Sequence, residues 1–235
     1  MSIYTIGDLH LSFKNPKPMD IFGDNWENHE EKIRQDWISK VKEDDTVILA
    51  GDFSWAMKIE DAYLDFEYIN NLPGKKILLK GNHDYWWTTV TSMKRYLKEN
   101  EFNNIDFLFN NSYLIEDKVI VGTRGWQNSY RVAEDYKILK RENDRLKLSI
   151  QDGIKNYGVD KEFIAFIHYP PFYKEENIPE EIDFIKTLKE YGINRCFYAH
   201  LHGESHKDAI EGIVDGIEYK LVSSDFLEFK LLQIQ

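Results

Sequence analysis

Short apolar runs recur along this chain, and five of them stop at residues able to bind metal. Ile3 to Ile6 runs into Asp8 and His10, Val47 to Ala50 into Asp52, and Ile77 to Leu79 into Asn82 and His83. Phe163 to Ile167 leads to His168, and Cys196 to Ala199 to His200 and His202. Helical spacing separates these runs. Ile33, Trp37 and Val41 form a stripe after Trp26 that Asp44 and Asp45 end, and Ala62, Tyr63 and Phe66 precede a turn at Pro73-Gly74. Trp86 to Leu97 is predicted as the next crossover helix. The opening half therefore reads βαβαβ, which predicts a partly parallel sheet with right-handed crossovers. From Ile105 to Val121 and from Ala209 to Leu232 the strands shorten, with hairpin turns at Glu116-Asp117 and Asp215-Gly216.

One segment stands apart. Ala133 to Tyr157 is rich in helix formers, with Tyr136, Leu139, Leu146, Ile150 and Tyr157 on one stripe and Asn143 within it. Three readings stay open for this helix: a cover for the core, a cap over the site, or a dimer seam. Its basic residues Lys137, Lys140, Arg141, Arg145 and Lys147 alternate with Glu142 and Asp144, which reads as a solvated face. No repeat, low-complexity tract or linker divides the chain, so the expectation is one α/β domain over residues 1–235.

Composition narrows the class. Hydrophobic residues make up 42% and charged residues 30% of the 235, as in an ordinary globular chain with a sizeable core. No apolar run approaches the roughly 18 residues of a membrane span, and no room for a secretory signal precedes the strand at Ile3. A cytoplasmic protein is expected, and the single cysteine, Cys196, agrees with a reducing compartment. Cys196 lies in an apolar run, which points to buried packing. The net charge of -11 argues against a broad nucleic-acid surface, since such affinity comes from many Lys and Arg on phosphates. It leaves open a nuclease acting at one pocket, because bound dications would attract a phosphate there. An oligomer is permitted but unsupported.

Parallel strands of an α/β sheet present their carboxyl ends to one edge, so ligand residues placed at strand ends converge from distant positions. The carboxylate and imidazole groups gathered in this way exceed what one four-coordinate zinc takes and suit two divalent ions sharing a carboxylate. Mn, Fe, Zn, Ni and Co all accept such ligands.

The blocks Gly7-Asp8-Leu9-His10, Gly51-Asp52, Gly81-Asn82-His83-Asp84, His168-Tyr169-Pro170 and His200-Leu201-His202 resemble those of the calcineurin-like metallophosphoesterases, in the family's order. The resemblance implies a four-layer α/β/β/α sandwich of two mixed sheets flanked by helices. It implies one metal on Asp8, His10 and His202, another on Asn82, His168 and His200, and Asp52 bridging them. It further implies phosphoester hydrolysis by in-line attack of a metal-bridging hydroxide. His83 would be the general acid, with Asp84 orienting and charging its imidazole. A phosphomonoester or phosphodiester is the implied substrate. The alternatives are a Ser/Thr phosphoprotein phosphatase, a nuclease and a non-catalytic scaffold. Phe53-Ser54-Trp55 stands where phosphoprotein phosphatases extend the second block with Asp-Arg, which disfavours them. Lipid A pathway pyrophosphatases carry Arg at the place of His83, which disfavours those. A scaffold would be expected to lose a ligand or the acid histidine, and this chain keeps them all.

Selectivity is assigned to the intervening loops, Leu11 to Asn25, Thr123 to Arg131 and Tyr169 to Pro179. Arg124, in Gly122-Thr123-Arg124-Gly125-Trp126, is a candidate for substrate phosphate, with Arg131 a weaker one. Trp55, Tyr85, Trp86 and Trp87 read mainly as core packing behind the site. His206 reads as a residue behind the ligands, and His29, on a polar helix, as exposed.

Overall fold

The computed structural model describes residues 1–127, 133–172 and 183–235. Its elements begin with β1 (Ile3–Ile6), α1 (His29–Lys40), β2 (Thr46–Leu49), α2 (Tyr63–Asn70), β3 (Lys75–Leu79), α3 (Val90–Glu99) and β4 (Ile105–Leu108). There follow β5 (Tyr113–Ile115), β6 (Lys118–Thr123), α4 (Ala133–Tyr157), β7 (Glu162–Ile167), α5 (Asp183–Glu190) and β8 (Arg195–Tyr198). The last are β9 (Gly212–Val214), β10 (Ile217–Leu221) and β11 (Leu232–Ile234). Contacts gather the chain into two compact units, Met1–Phe107 with Val222–Gln235, and Leu108–Leu221. Each unit carries a mixed sheet, so the fold is α/β with two mixed sheets and helices.

The first unit holds a sheet in the order β11-β1-β2-β3-β4. β1, β2 and β3 run parallel, with Ile3 opposite Thr46 and Thr46 opposite Lys75, and β11 joins β1 antiparallel. Every residue of β1 and β2 is buried, as continuous apolar runs in parallel strands require. Ile33 and Trp37 of α1 and Phe66 of α2 are fully buried, as is Ala62 just before α2, while Tyr63 of the second predicted stripe is exposed. Lys76, on β3, is buried as well, donates to the Leu72 carbonyl, and is pushed down to about 7 by loss of solvation.

Two expectations in this unit need correction. The crossover helix begins at Val90, not at Trp86. Thr89 caps it by accepting from the Ser92 amide at 3.3 Å, while Trp86 and Trp87 sit in the preceding turn, where the Trp87 amide reaches the Asp84 carbonyl at 3.2 Å. His29 is buried, not exposed: its ring nitrogens lie 3.1 Å from the Leu9 carbonyl and 3.2 Å from that of Trp26. Burial lowers its pKa, against the raising effect of Glu30.

The second unit holds a sheet in the order β5-β6-β7-β8-β10-β9. β6, β7, β8 and β10 are parallel, and the hairpins β5-β6 and β9-β10 turn where the sequence predicts. Glu116, Asp215 and Gly216 have positive φ there, as such turns demand. α4 has the predicted bounds and packs on β6, with Leu139, Leu146 and Ile150 fully buried. Ser149 fixes the contact, its hydroxyl accepting from the Gly122 amide at 3.0 Å. The charged face of α4 departs from the solvated reading, since Glu142 is 1% exposed and faces Thr123 of β6. Cys196 is buried, and burial raises its thiol far above the usual range. No helix among the described residues is long and apolar enough to cross a membrane. Arg131 and the loop from Tyr173 to Pro179 lie outside the described residues.

Candidate metal centre

In the first unit the candidate ligands stand just past β1, β2 and β3, and backbone hydrogen bonds carry the strand pairing beyond the sheet. The Asp8 amide donates to the Gly51 carbonyl at 2.9 Å, His10 to Asp52 at 3.0 Å and Leu11 to Phe53 at 3.0 Å. Asp8, His10 and Asp52 adopt φ of 56°, 47° and 50°, the left-handed region that costs a residue with a side chain roughly 1–2 kcal/mol. Such strain persists only where surrounding contacts impose it, and it gathers at functional sites. Here the Ser224 hydroxyl donates to the Asp8 carbonyl at 2.7 Å and the His83 amide to Asp52 Oδ1 at 2.7 Å.

Asp8, His10 and Asp52 are buried, and ligand atoms of Asp8 and His10 lie within 4.8 Å of each other. His10 Nε2 and Asp52 Oδ2 are 3.9 Å apart. That is beyond hydrogen-bond reach but fits two atoms bound to one ion, since metal–ligand bonds of about 2.0–2.2 Å allow separations up to roughly 4 Å. Buried carboxylate and imidazole donors in this spacing suit a divalent ion. Asn82 and His83 are half-buried on the loop after β3.

Gly81 sets how closely that loop approaches. A Cβ on Gly81 would stand 2.0 Å from Asp52 Oδ1 and 2.2 Å from the Asp52 amide, so only glycine fits. Asp84 binds the two loops together. Its Oδ1 accepts from the Phe53 amide at 2.9 Å, the Ser54 amide at 3.2 Å and Trp86 Nε1 at 3.0 Å, and its Oδ2 accepts from the Gly81 amide at 2.7 Å. A second buried carboxylate, Asp65, accepts from the Ser54 hydroxyl and from the Phe13 amide, and burial pushes it up to about 6.

The four aromatic residues near the blocks part ways. Trp86 and Trp87 are buried and Tyr85 is exposed. Trp55 is half-buried, with ring centroids 4.8 Å from His10 in a stacked pair and 4.3 Å from His83.

The second unit carries His168, His200 and His202 past the ends of β7 and β8. The His168 amide donates to the Thr123 carbonyl at 3.3 Å, and its carbonyl accepts from the Ala199 amide at 3.0 Å. Ligand atoms of His168 and His200 lie within 4.8 Å, and Tyr169 packs its ring 4.2 Å from His200. His200 has φ of 77°. His202, half-buried, precedes a short 3-10 turn and accepts from the Ser205 amide at 3.0 Å. His206 lies in that turn, likewise half-buried. Arg124 follows β6 and is largely buried against Glu142, with Nη2 at 3.5 Å from Oε1.

Ser224, Asp65 and Glu142 went unread in the sequence as supports of these positions. Ser224 acts from the far end of the chain, so no local signal marks it. Glu142 did carry one: an acidic residue flanked by Arg141 and Arg145 on the side of α4 adjoining its apolar stripe.

Comparison with known proteins adds independent findings. Residues 1–204 match the model of the calcineurin-like phosphoesterase family. Gene 66 protein of Mycobacterium phage L5 is 34% identical over 77 residues, a match spanning 33% of this chain and 37% of that protein. Among solved structures, phosphopantetheinyl hydrolase from Mycobacterium tuberculosis superposes with a TM-score of 0.57 at 14% identity, covering 99% of this chain and 95% of that one. A protein of Thermus thermophilus, TT1561, gives 0.58 at 11% identity, covering 99% and 97%. These structures agree in fold, and with a family match over most of its length the chain belongs to the calcineurin-like phosphoesterases.

Proposed function

We propose that this protein hydrolyses a phosphomonoester or phosphodiester with two divalent metal ions. Asp8, His10 and Asp52 of the first unit, with Asn82, are the ligands that unit contributes, and His168, His200 and His202 are those of the second. Asp52 would be the ligand shared by the two ions. What supports joining the two sets is the order of the blocks along the chain, which is the family's. The observation that carries the reading is the buried Asp8, His10 and Asp52 group, held in left-handed backbone with 3.9 Å between His10 Nε2 and Asp52 Oδ2.

When bound, such ions supply Lewis acidity and lower the pKa of coordinated water toward neutrality. The chain's own residues do the rest. Asp52 is oriented by the His83 amide, so the shared carboxylate and the acid histidine are set by one hydrogen bond. His83 is half-buried beside Trp55, on the loop that Asp84 ties to Phe53 and Ser54, and hands a proton to the leaving-group oxygen. Asn82 offers a neutral carbonyl oxygen, which limits negative charge facing a phosphate.

Nitrophenyl phosphate and bis-nitrophenyl phosphate, assayed with added manganese, test the reading and rank monoester against diester. Turnover of either that disappears in Asp52→Asn is expected. No turnover of either ester would favour a binding scaffold.

A further inference from the structure

We propose that Arg124 and Arg145, set in place by the buried Glu142, form an anion subsite beside His168 and His200 that takes a second phosphate of the substrate. The proposal rests on the phosphoesterase reading above and names the substrate class, a phosphoester that carries another phosphate group.

Three guanidinium groups converge on Oε1 of Glu142: Arg145 Nη1 at 3.4 Å, Arg124 Nη2 at 3.5 Å and Arg141 Nε at 3.7 Å. Glu142 Oε2 accepts from the Thr123 hydroxyl at 2.9 Å. A single carboxylate neutralises a single guanidinium. Adding Asp135, which accepts from Trp126 Nε1 at 3.0 Å, still leaves three cations against two anions. None of the three approaches has the roughly 2.7–2.9 Å of a charge-assisted hydrogen bond, so most guanidinium donors remain to be used. The Arg124 Nε is itself buried and finds no hydrogen-bond partner among the described residues. A buried donor left in this state is rare, and a ligand oxygen satisfies it. An ion cluster serving stability alone would pair its charges off. Among the described residues this one holds an excess of cation and an unmet donor.

Its position suits a substrate. Arg124 follows β6 at the edge where His168 follows β7, and its carbonyl accepts from the Tyr169 amide at 3.0 Å. The guanidinium lies 4.7 Å from the Trp126 ring, Trp126 packs 5.4 Å from Tyr169, and Tyr169 lies 4.2 Å from His200. The row Arg124, Trp126, Tyr169, His200 thus runs from the cation cluster to the candidate ligands. Arg145, on α4, is about a quarter exposed and backed by Phe109, 4.6 Å from its guanidinium carbon, so its remaining donors are open to a phosphate. A planar guanidinium meets phosphate through two donors at once, which selects phosphate over smaller or singly coordinating anions.

The test uses adenosine 3′,5′-bisphosphate against adenosine 5′-monophosphate, with Arg124→Ala, Arg124→Lys and Arg145→Ala. The ratio of kcat/KM for the bisphosphate over the monophosphate should fall about 10- to 100-fold in either alanine variant, the loss of one or two charge-assisted hydrogen bonds. It should recover in part in Arg124→Lys. A separate reading needs no turnover: inorganic pyrophosphate titrated calorimetrically into the metal-free protein should bind, about tenfold more weakly in Arg145→Ala. An unchanged ratio together with unchanged pyrophosphate binding would overturn the subsite. Wild-type protein that binds pyrophosphate through these arginines yet turns over no nitrophenyl phosphate would keep the subsite and sink the phosphoesterase reading. Because the two arginines sit on different elements, a variant that fails to fold leaves the other to decide.

Discussion

Asp84→Asn separates two roles for one carboxylate. By resemblance Asp84 orients the His83 imidazole, while its oxygens accept two hydrogen bonds from the loop after β2, at Phe53 and Ser54, and two from its own loop after β3, at Gly81 and Trp86. Asparagine can turn its amide oxygen toward Phe53, Ser54 and Trp86, which leaves its NH2 facing the Gly81 amide, a donor against a donor. One hydrogen bond to a charged group is lost, about 1.5–3 kcal/mol, and a buried N–H goes unmet, about 1–3 kcal/mol more. The three remaining bonds lose the charge that strengthened them. A total near 4 kcal/mol follows, and at roughly 2–4 °C per kcal/mol for a chain of this size Tm should fall by about 8–16 °C. Scanning calorimetry of metal-free protein is the appropriate assay, since bound ions would otherwise add their own stabilisation. A Tm within about 2 °C of wild type, with activity down at least tenfold, would show that Asp84 acts through His83 and that the clamp contributes little.

His83→Ala should lower kcat by about 10²- to 10⁴-fold while both metals are retained, and the loss should shrink with a good leaving group such as nitrophenolate. Equal losses across a series of leaving groups would remove His83 from the acid role. Lys76→Met should stabilise the protein near pH 7 by about 1–3 kcal/mol, since a lysine of pKa about 7 in the fold and about 10.4 unfolded is costly to bury. Between those values the unfolded chain binds more protons, so wild-type stability rises with pH and the advantage of the methionine variant narrows toward pH 10. Denaturant melts of both proteins at pH 7 and pH 9.5 would read this, and an advantage that grows with pH would contradict the sign.

Much of this molecule is legible in its sequence because its strands are buried on both faces and its ligand residues stand directly after them. The apolar runs ending at Asp8, Asp52, His168 and His200 mark β1, β2, β7 and β8, and the bounds of α4 follow from its stripe. What stays hidden depends on contacts between distant segments. His29 lies on a polar helix, yet it is buried with its ring nitrogens against the Leu9 and Trp26 carbonyls. Trp86 and Trp87 have helical composition, but Asp84 recruits the Trp86 indole and holds the turn open until Thr89 caps α3. Glu142 belongs by composition to a solvated face, and only Thr123 on β6 and the converging arginines explain its burial. The return of β11 from the end of the chain to pair with β1 is likewise absent from the local pattern, because it joins segments more than 200 residues apart.

Metal stoichiometry tests the central claim most directly. Elemental analysis of protein equilibrated with excess manganese and then freed of unbound ion should give two ions per chain in the wild type and a clear loss in Asp52→Ala, since on the proposed reading that carboxylate would serve both ions. Less than one ion per chain, or two ions retained without Asp52, would contradict a dinuclear centre built on these residues.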